Sequence, residues 1–546
     1  MSSERRLPVV LCWHMHQPEY RDALGGRVVL PWVLLRALKD YSDMAAHLEE
    51  VPEARAVVNF SPVLLDQLED HVRRLEALLR EGRPAGEPLS DALVELPAPG
   101  AAARAELVAA CTRPLAPRML ERAPAYREAA ARAVIELRHG RVDSLPDQDL
   151  VDLVVLYLLA WCGESLSDDP RLVALRTQQR HYTAAQCREL LAWMLEVLRA
   201  ILPRYRLLAE RGRVELSMTP YYHPLSPLLI DFGAAREAAP GIELPAVPYP
   251  GGLERARWHL REGAARFAQV FGFRPRGCWP SEAALSQAAL ELIADEGFAW
   301  TASSQSVLAA TLRRHGRERD DPHRPYRSAA PLTCFFRDDR FSDRIGFVYK
   351  DWNAHDAVAD FVAPLEPLAR SGARCVAVIL DGENPWEWYA NNGCDFVRGL
   401  YRRLSSHPSL RMATFSDCLA DPQCAPAALP PLVAGSWVHG ELLTWIGHPQ
   451  KNRAWALLVE AKRRFDAAPR AARAQHLLGV CEGSDWFWWP GGPHSAETVA
   501  DFDRLFRLHL RNLYAAIGES GPAELDRPLL GGGAENGEGG TMLRSA

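Results

Sequence analysis

The run Cys375–Leu380, CVAVIL, constrains this chain more than any other feature. A strand that is apolar at successive positions has no face to offer water. It must be covered on both sides, as in parallel sheets whose crossover helices lie over the faces. Similar short β-rich runs occur at Pro8–His14, Ala56–Phe60, Arg213–Met218, Arg276–Pro280, Phe298–Ala302, Thr333–Arg337, Ile345–Tyr349 and Leu410–Phe415. Helical segments follow some of them, at Glu282–Asp295, Asp395–Leu404 and Ser416–Ala420. This alternation predicts an α/β fold, most simply a barrel of about seven or eight strands filled by Val, Ile and Leu side chains.

Two stretches break the rhythm. From about 64 to 210 the apolar spacing is helical, with a Pro/Gly/Ala-rich loop expected at Gly82–Ala103; we read this as an insertion at the barrel mouth. Residues 423–518 read as helices joined by Trp-rich loops, and 519–546 as an unstructured tail without apolar periodicity. The catalytic unit is therefore expected within 1–422, with 423–518 leaning on it. The chain has 546 residues, 48% of them hydrophobic, enough for a sizeable core without disulfide staples. A net charge of −6 argues against nucleic-acid binding. The most apolar window, Leu150–Trp161, is shorter than the ~20 residues that span a bilayer. The eleven scattered cysteines form no CxxC pair, so a reducing, cytoplasmic setting is expected.

Four clusters follow predicted strands. His14 and His16 are two apart, so an extended chain points both to one side; metal binding, contact with a polar substrate and a structural role are all open on spacing alone. In the segment Val214–Pro224, Glu215 lies mid-strand, while Tyr221, Tyr222 and His223 lie on the following loop, where the tyrosines could stack on sugar rings. Glu282, in GCWPSE, falls where a strand meets a helix, with Ser281 a candidate N-cap. Asp381, in LDGENPWEWY, emerges from the apolar strand, and an apolar setting raises a carboxyl pKa as a general acid requires. Paired carboxyl groups at one barrel mouth, with aromatics such as Trp279, Trp386, Trp388 and Tyr389 beside them, suit retaining glycoside hydrolysis.

Taken in order, HMHQP, TPYYHPLSPLL, GCWPSE, LDGENPWEWY and GSWVHGELLTWIGHP resemble the five motifs of glycoside hydrolase family 57, from His14 to about Trp489. The resemblance implies a (β/α)7-type barrel with a C-terminal helical region and a retaining mechanism on α-glucans. It implies Glu282 as nucleophile and Asp381 as general acid/base, Glu383 being the competitor for the second role. His14 and His16 would contact the sugar, with Gln17 beside them, and Tyr221, His223, Trp279, Trp386 and Trp437 would line the cleft. Asp485 and Trp486 would be contributed by the C-terminal region. No cofactor or metal is expected, which moves the histidine pair away from zinc. The motifs look most like the α-amylase and amylopullulanase branch. Transfer by a 4-α-glucanotransferase or branching enzyme would use the same carboxylates. A metal-dependent hydrolase and a non-catalytic glucan-binding protein are the rivals of another class.

Overall fold

The computed structural model describes residues 6–113, 115–468, 472–492 and 494–529. Seven parallel strands close into a barrel: β1 (Leu7–Met15), β2 (Ala56–Phe60), β3 (Val214–Met218), β4 (Gly277–Cys278), β5 (Trp300–Ser304), β6 (Thr333–Arg337) and β7 (Val376–Asp381). Each pairs with its successor, and β7 returns to β1 through the register Val9↔Val376 to His14↔Asp381. The expected (β/α)7 architecture is the one observed.

Alternation sorts each strand. Val10 and Cys12 of β1, Val57 of β2 and Ala377 and Ile379 of β7 fill the lumen with Trp279, Trp300, Phe335 and Phe415. Val9, Leu11 and Trp13 face the surrounding helices instead. The same period of two carries the lumen face one step further, to His14, Asn59 and Asp381. Register puts these three level, since His14 pairs with Asn59 on one side and Asp381 on the other. The barrel mouth is thus furnished by the first polar residues that follow three apolar strands.

Three elements differ from the sequence reading. Ile345–Tyr349 is not a strand but a π-helical turn, Arg344–Val348, continuing the helix Asp339–Asp343 that Asp338 caps. A five-residue apolar run cannot by itself tell a strand from a buried helical turn. The strand expected to reach Phe415 stops at Met412, because Thr414 and Asp417 form a capping box that starts a helix at Phe415. The helix expected from Glu282 begins at Gln287, capped by Ser286, while Ser281 caps nothing.

The helical insertion runs from Pro62–Glu81 to Ala184–Glu210, and the loop expected at Gly82–Ala103 contains a short helix, Pro88–Ala92. Arg122 of the insertion donates to Asn392 Oδ1 (3.0 Å), beyond β7, so part of it lies beside the mouth. The apolar window Leu150–Trp161 belongs to the helix Asp147–Ala160, packed inside this insertion; among the described residues no helix is long and apolar enough to cross a membrane. The C-terminal region consists of Pro449–Ala467, Ala472–Cys481, Asp485–Trp488 and Ala496–Ala516. The tail expected to be unstructured is ordered at its start: Leu525 is buried in a 3-10 turn, and its carbonyl accepts from Arg507 and Arg511 (3.2 and 2.9 Å). Residues 530–546 lie outside the described residues. All eleven cysteines are free and buried.

Candidate active site

The site begins with three imidazoles. His14, at the end of β1, is held by Asn59 Oδ1 on Nδ1 (2.7 Å) and meets His223 Nε2 through its own Nε2 (3.2 Å). His16 points Nδ1 at Ser61 Oγ (2.8 Å) and Nε2 at both oxygens of Asp485 (3.2 Å). The His16 and His223 rings stack at 3.8 Å. Burial and the neighbouring His16 push His14 down to about 3, and burial with the other two imidazoles holds His223 well below the usual range. Both are therefore neutral hydrogen-bonding groups at pH 7.

His16, His223 and Asp485 place nitrogen and oxygen atoms within 4.8 Å of one another. Imidazole lone pairs lie in the ring plane, and rings that stack at 13° cannot aim two of them at one point between the planes. The trio is a polar contact rather than a cation cage, and the residues present do not fit a resident metal.

The carboxylates come from two different constructions. Asp381 ends β7 and lines the cleft at the lumen mouth, with Asn384 Nδ2 donating to Oδ2 (2.8 Å). Glu282 sits after β4 on a left-handed backbone, φ 57°, followed by Ala283 at φ 52°. Two consecutive non-glycine residues in this region are strained, and such strain persists only where neighbours fix it. Here the Glu282 carbonyl accepts from Trp437 N (3.1 Å), Leu285 and Gly435 exchange both backbone bonds, and Ser303 Oγ donates to the Ala283 carbonyl (2.7 Å). The Glu282 carboxylate receives Trp437 Nε1 on Oε2 (3.0 Å) and Ser484 Oγ on Oε1 (3.1 Å). Burial first, then the charges of Asp485 and Asp381, push Glu282 up to about 8. Burial likewise raises Asp381. The negative charges of Asp485 and Asp381 thus act on Glu282 in the same sense as its burial.

The cleft brings together His14, His16, Gln17, His223, Glu282, Asp381, Trp437 and Asp485 from the sequence reading. Four other residues lie elsewhere. Tyr221 is buried and donates to Asp66 Oδ2 (2.7 Å), stacking with Trp258 behind the site. Trp279 turns down into the lumen, edge-on to Trp437 at 5.6 Å, so it supports the wall without forming it. Trp386 is packed against Trp13 at 5.6 Å and donates to the Gly382 carbonyl (2.8 Å). Trp486 is buried between Phe506 and His509, donating to the Val480 carbonyl (2.6 Å). A tryptophan beside a reactive residue in sequence often faces the other way, and default burial wins.

The sequence reading missed Asn59, Ser484, Arg337 and the apolar wall of Phe347, Trp488 and Phe502. Asn59 carried a signal, being a polar end to the apolar run AVVNF. Arg337, at the end of β6, donates to the Ile379 carbonyl (2.7 Å) and to Asp339 (2.7 Å), and lies 5.8 Å from the Trp437 ring. Glu215, in mid-strand, accepts from Trp300 Nε1 (2.7 Å) and from Ser416 N (2.8 Å) and Oγ (2.6 Å), away from the cleft.

A model of the glycosyl hydrolase family 57 matches residues 10–432. A search of curated proteins finds no match. Among solved structures, a GH57 branching enzyme from Thermococcus kodakaraensis is similar over 96% of this chain and 94% of its own, with TM-score 0.57 and 15% identity. A GH57-type branching enzyme from Pyrococcus horikoshii is similar over 95% and 93%, with TM-score 0.55 and 14% identity. The α-amylase AmyC from Thermotoga maritima is similar over 94% of both chains, with TM-score 0.53 and 13% identity. At these identities the likeness is one of fold.

Proposed function

The chain belongs to glycosyl hydrolase family 57, and from that premise we propose that it cleaves α-1,4-linked glucans with retention, through a covalent glycosyl-enzyme on Glu282. The observation that carries this reading is the placement of Glu282 and Asp381 in one cleft at the barrel mouth, beside three imidazoles and an aromatic wall.

In the first step, Asp381 gives a proton to the glycosidic oxygen as Glu282 attacks the anomeric carbon. Asn384 occupies Asp381 Oδ2, which leaves Oδ1 to hold and release that proton. The N–H of Trp437 and the hydroxyl of Ser484 stabilise Glu282 as it ionises, and each oxygen keeps a lone pair for attack. In the second step, Asp381 takes a proton from the incoming hydroxyl, which displaces Glu282. Neutral His14 and His223 suit contacts to sugar hydroxyls, which both give and accept hydrogen bonds.

A second reading, transfer to a sugar hydroxyl as in 4-α-glucanotransferases or branching enzymes, is favoured by the apolar wall of Phe347, Val438, Trp488 and Phe502, which disfavours free water near the intermediate. The eleven free, buried cysteines support a reducing, cytoplasmic setting.

The test is product analysis with maltoheptaose and pullulan. Shorter products with new reducing ends are expected from a hydrolase, and release of maltotriose from pullulan would add α-1,6 cleavage. Products longer and shorter than the substrate, without new reducing ends, would establish transfer. Glu282→Gln is expected to lose about 10³-fold or more of turnover with fold and glucan binding kept. Near-normal activity in that variant would overturn the assignment.

A further inference from the structure

The hydroxyl of Ser484 has one proton and two claimants. His223 Nδ1 lies 2.8 Å away and Glu282 Oε1 3.1 Å away. Which of them receives it is decided at the far end of a hydrogen-bonded chain. Asn59 Nδ2 donates to Ser217 Oγ (3.0 Å), which turns Oδ1 toward Thr219 Oγ1 and His14 Nδ1, each at 2.7 Å. A carbonyl oxygen only accepts, so His14 carries its proton on Nδ1. Neutral His14 then offers a lone pair on Nε2, and His223 Nε2, 3.2 Å away, must be the donor. Neutral His223 therefore has a lone pair on Nδ1, facing Ser484. When the hydroxyl serves that lone pair, the contact to Glu282 is a hydrogen bond only if Glu282 carries a proton and donates it to Ser484 Oγ. When the hydroxyl turns to an ionised Glu282, His223 Nδ1 is left without a donor.

We propose that Ser484 is a positioning residue whose contested hydroxyl proton couples the ionisation of Glu282 to a tautomer chain running through His223 and His14 to Asn59. The chain rests pointing from Glu282 toward Asn59, with the nucleophile protonated. Ionisation sends the Glu282 proton to solvent, and the Ser484 hydroxyl then swings from His223 Nδ1 to the carboxylate; no covalent bond other than the Glu282 O–H changes. The charged and titratable groups facing Glu282 act in the same sense or apart from the chain. Asp381 and Asp485 disfavour its anion, while His223 lies 3.9 Å from it and is neutral. His16 faces His223 and is itself tied to Asp485 and Ser61. Arg337 lies across the Trp437 ring, its guanidinium taken by Asp339 and Asp343.

This inference rests on Glu282 being the nucleophile, and its test separates the two. The pH dependence of kcat/KM on maltoheptaose is compared for the wild type, Ser484→Ala, Ser484→Thr and Asn59→Leu, with Glu282→Gln alongside. Ser484→Ala removes both the acceptor for protonated Glu282 and the donor to its anion; the charge-assisted bond is the stronger, so the acidic limb is expected to move up by about one pH unit. Ser484→Thr keeps a hydroxyl and is expected to restore the limb. Asn59→Leu releases the His14 tautomer, lets His223 protonate on Nδ1, and is expected to move the limb down. Imidazole ¹⁵N spectra of the wild type are expected to show His14 as the Nδ1–H and His223 as the Nε2–H tautomer. The inference is overturned if Ser484→Ala only scales the rate equally at every pH, or if His14 is the Nε2–H tautomer, while Glu282→Gln is inactive. An active Glu282→Gln would overturn the nucleophile assignment itself.

Discussion

Glu383 lies two positions past Asp381, faces the same cleft, and differs from it in what surrounds its oxygens. It is 2% exposed, its Oε1 accepts from Gln17 Nε2 (3.0 Å) and His16 N (3.3 Å), and burial pushes it up to about 8. Those contacts use Oε1 only as an acceptor, a part that an amide oxygen also plays. On the proposed mechanism, Asp381→Asn removes the group that moves a proton at the glycosidic oxygen. It is expected to cost about 10²–10⁴-fold in kcat, and Glu383→Gln less than about tenfold, measured on a substrate with a poor leaving group. The imidazole row makes a second distinction. Excess chelator is expected to leave turnover unchanged, because the stacked His16 and His223 rings do not converge on an ion; inhibition reversed by zinc would refute that reading. At this scale the sequence was informative where chemistry sat at the end of an apolar strand: His14, Asp381 and, unnoticed, Asn59 all lie on the lumen face by simple alternation. It was silent on which way Tyr221, Trp386 and Trp486 turn, because loops and single helical turns are too short to show a period.

Among the elements, the segment Glu482–Trp489 matters most to the cleft. Glu482 is fully buried and accepts from Arg255 (2.7–3.1 Å), from His259 (2.8 Å) and from Tyr249. Despite burial, Arg255 and His259 hold it down to about 2. It anchors the segment to the helix Gly252–Phe271, while Lys451 Nζ grips the Phe487 and Trp488 carbonyls (3.0 and 3.2 Å) from the other side. Ser484 and Asp485 lie between these two anchors. Removing the charge leaves Arg255 buried and underpaired, so Glu482→Gln is expected to destabilise the fold by about 3–5 kcal/mol and to lower turnover, read by chemical denaturation and by assay. Because its folded-state pKa is depressed, Glu482 stabilises fully above its ordinary value of 4.5, and that contribution is lost as pH falls toward about 2. The denaturation midpoint should drop across that window in the wild type and less in the variant. The network was illegible in the sequence, since its partners are more than 200 positions away. The π-helical turn at Arg344–Val348 was hidden for another reason, as five apolar residues fit either period.

For the whole molecule, the barrel could be read from its apolar runs and their order, and the motif resemblance implied that the C-terminal region supplies Trp437 and Asp485 to the cleft, while Ser484 went unread. Trp437 and Ser484 bond to Glu282 and Asp485 to His16, so on the proposed mechanism residues 1–422 do not hold the whole site. A 1–422 fragment is expected to show no measurable turnover and to bind an apolar dye through the surface that 423–518 covers; full activity in the fragment would refute this. The late arrival of Ser484 and Asp485 also sets a schedule. At about 5–20 residues per second, the ribosome makes Asp381 on the order of ten seconds before it makes Ser484. During that interval both reactive carboxyls have been translated, but the hydroxyl that tends Glu282 and the carboxylate that holds His16 have not. On the proposed mechanism, a nascent chain that already carries both carboxyls still lacks part of its site until residues 484 and 485 have been made.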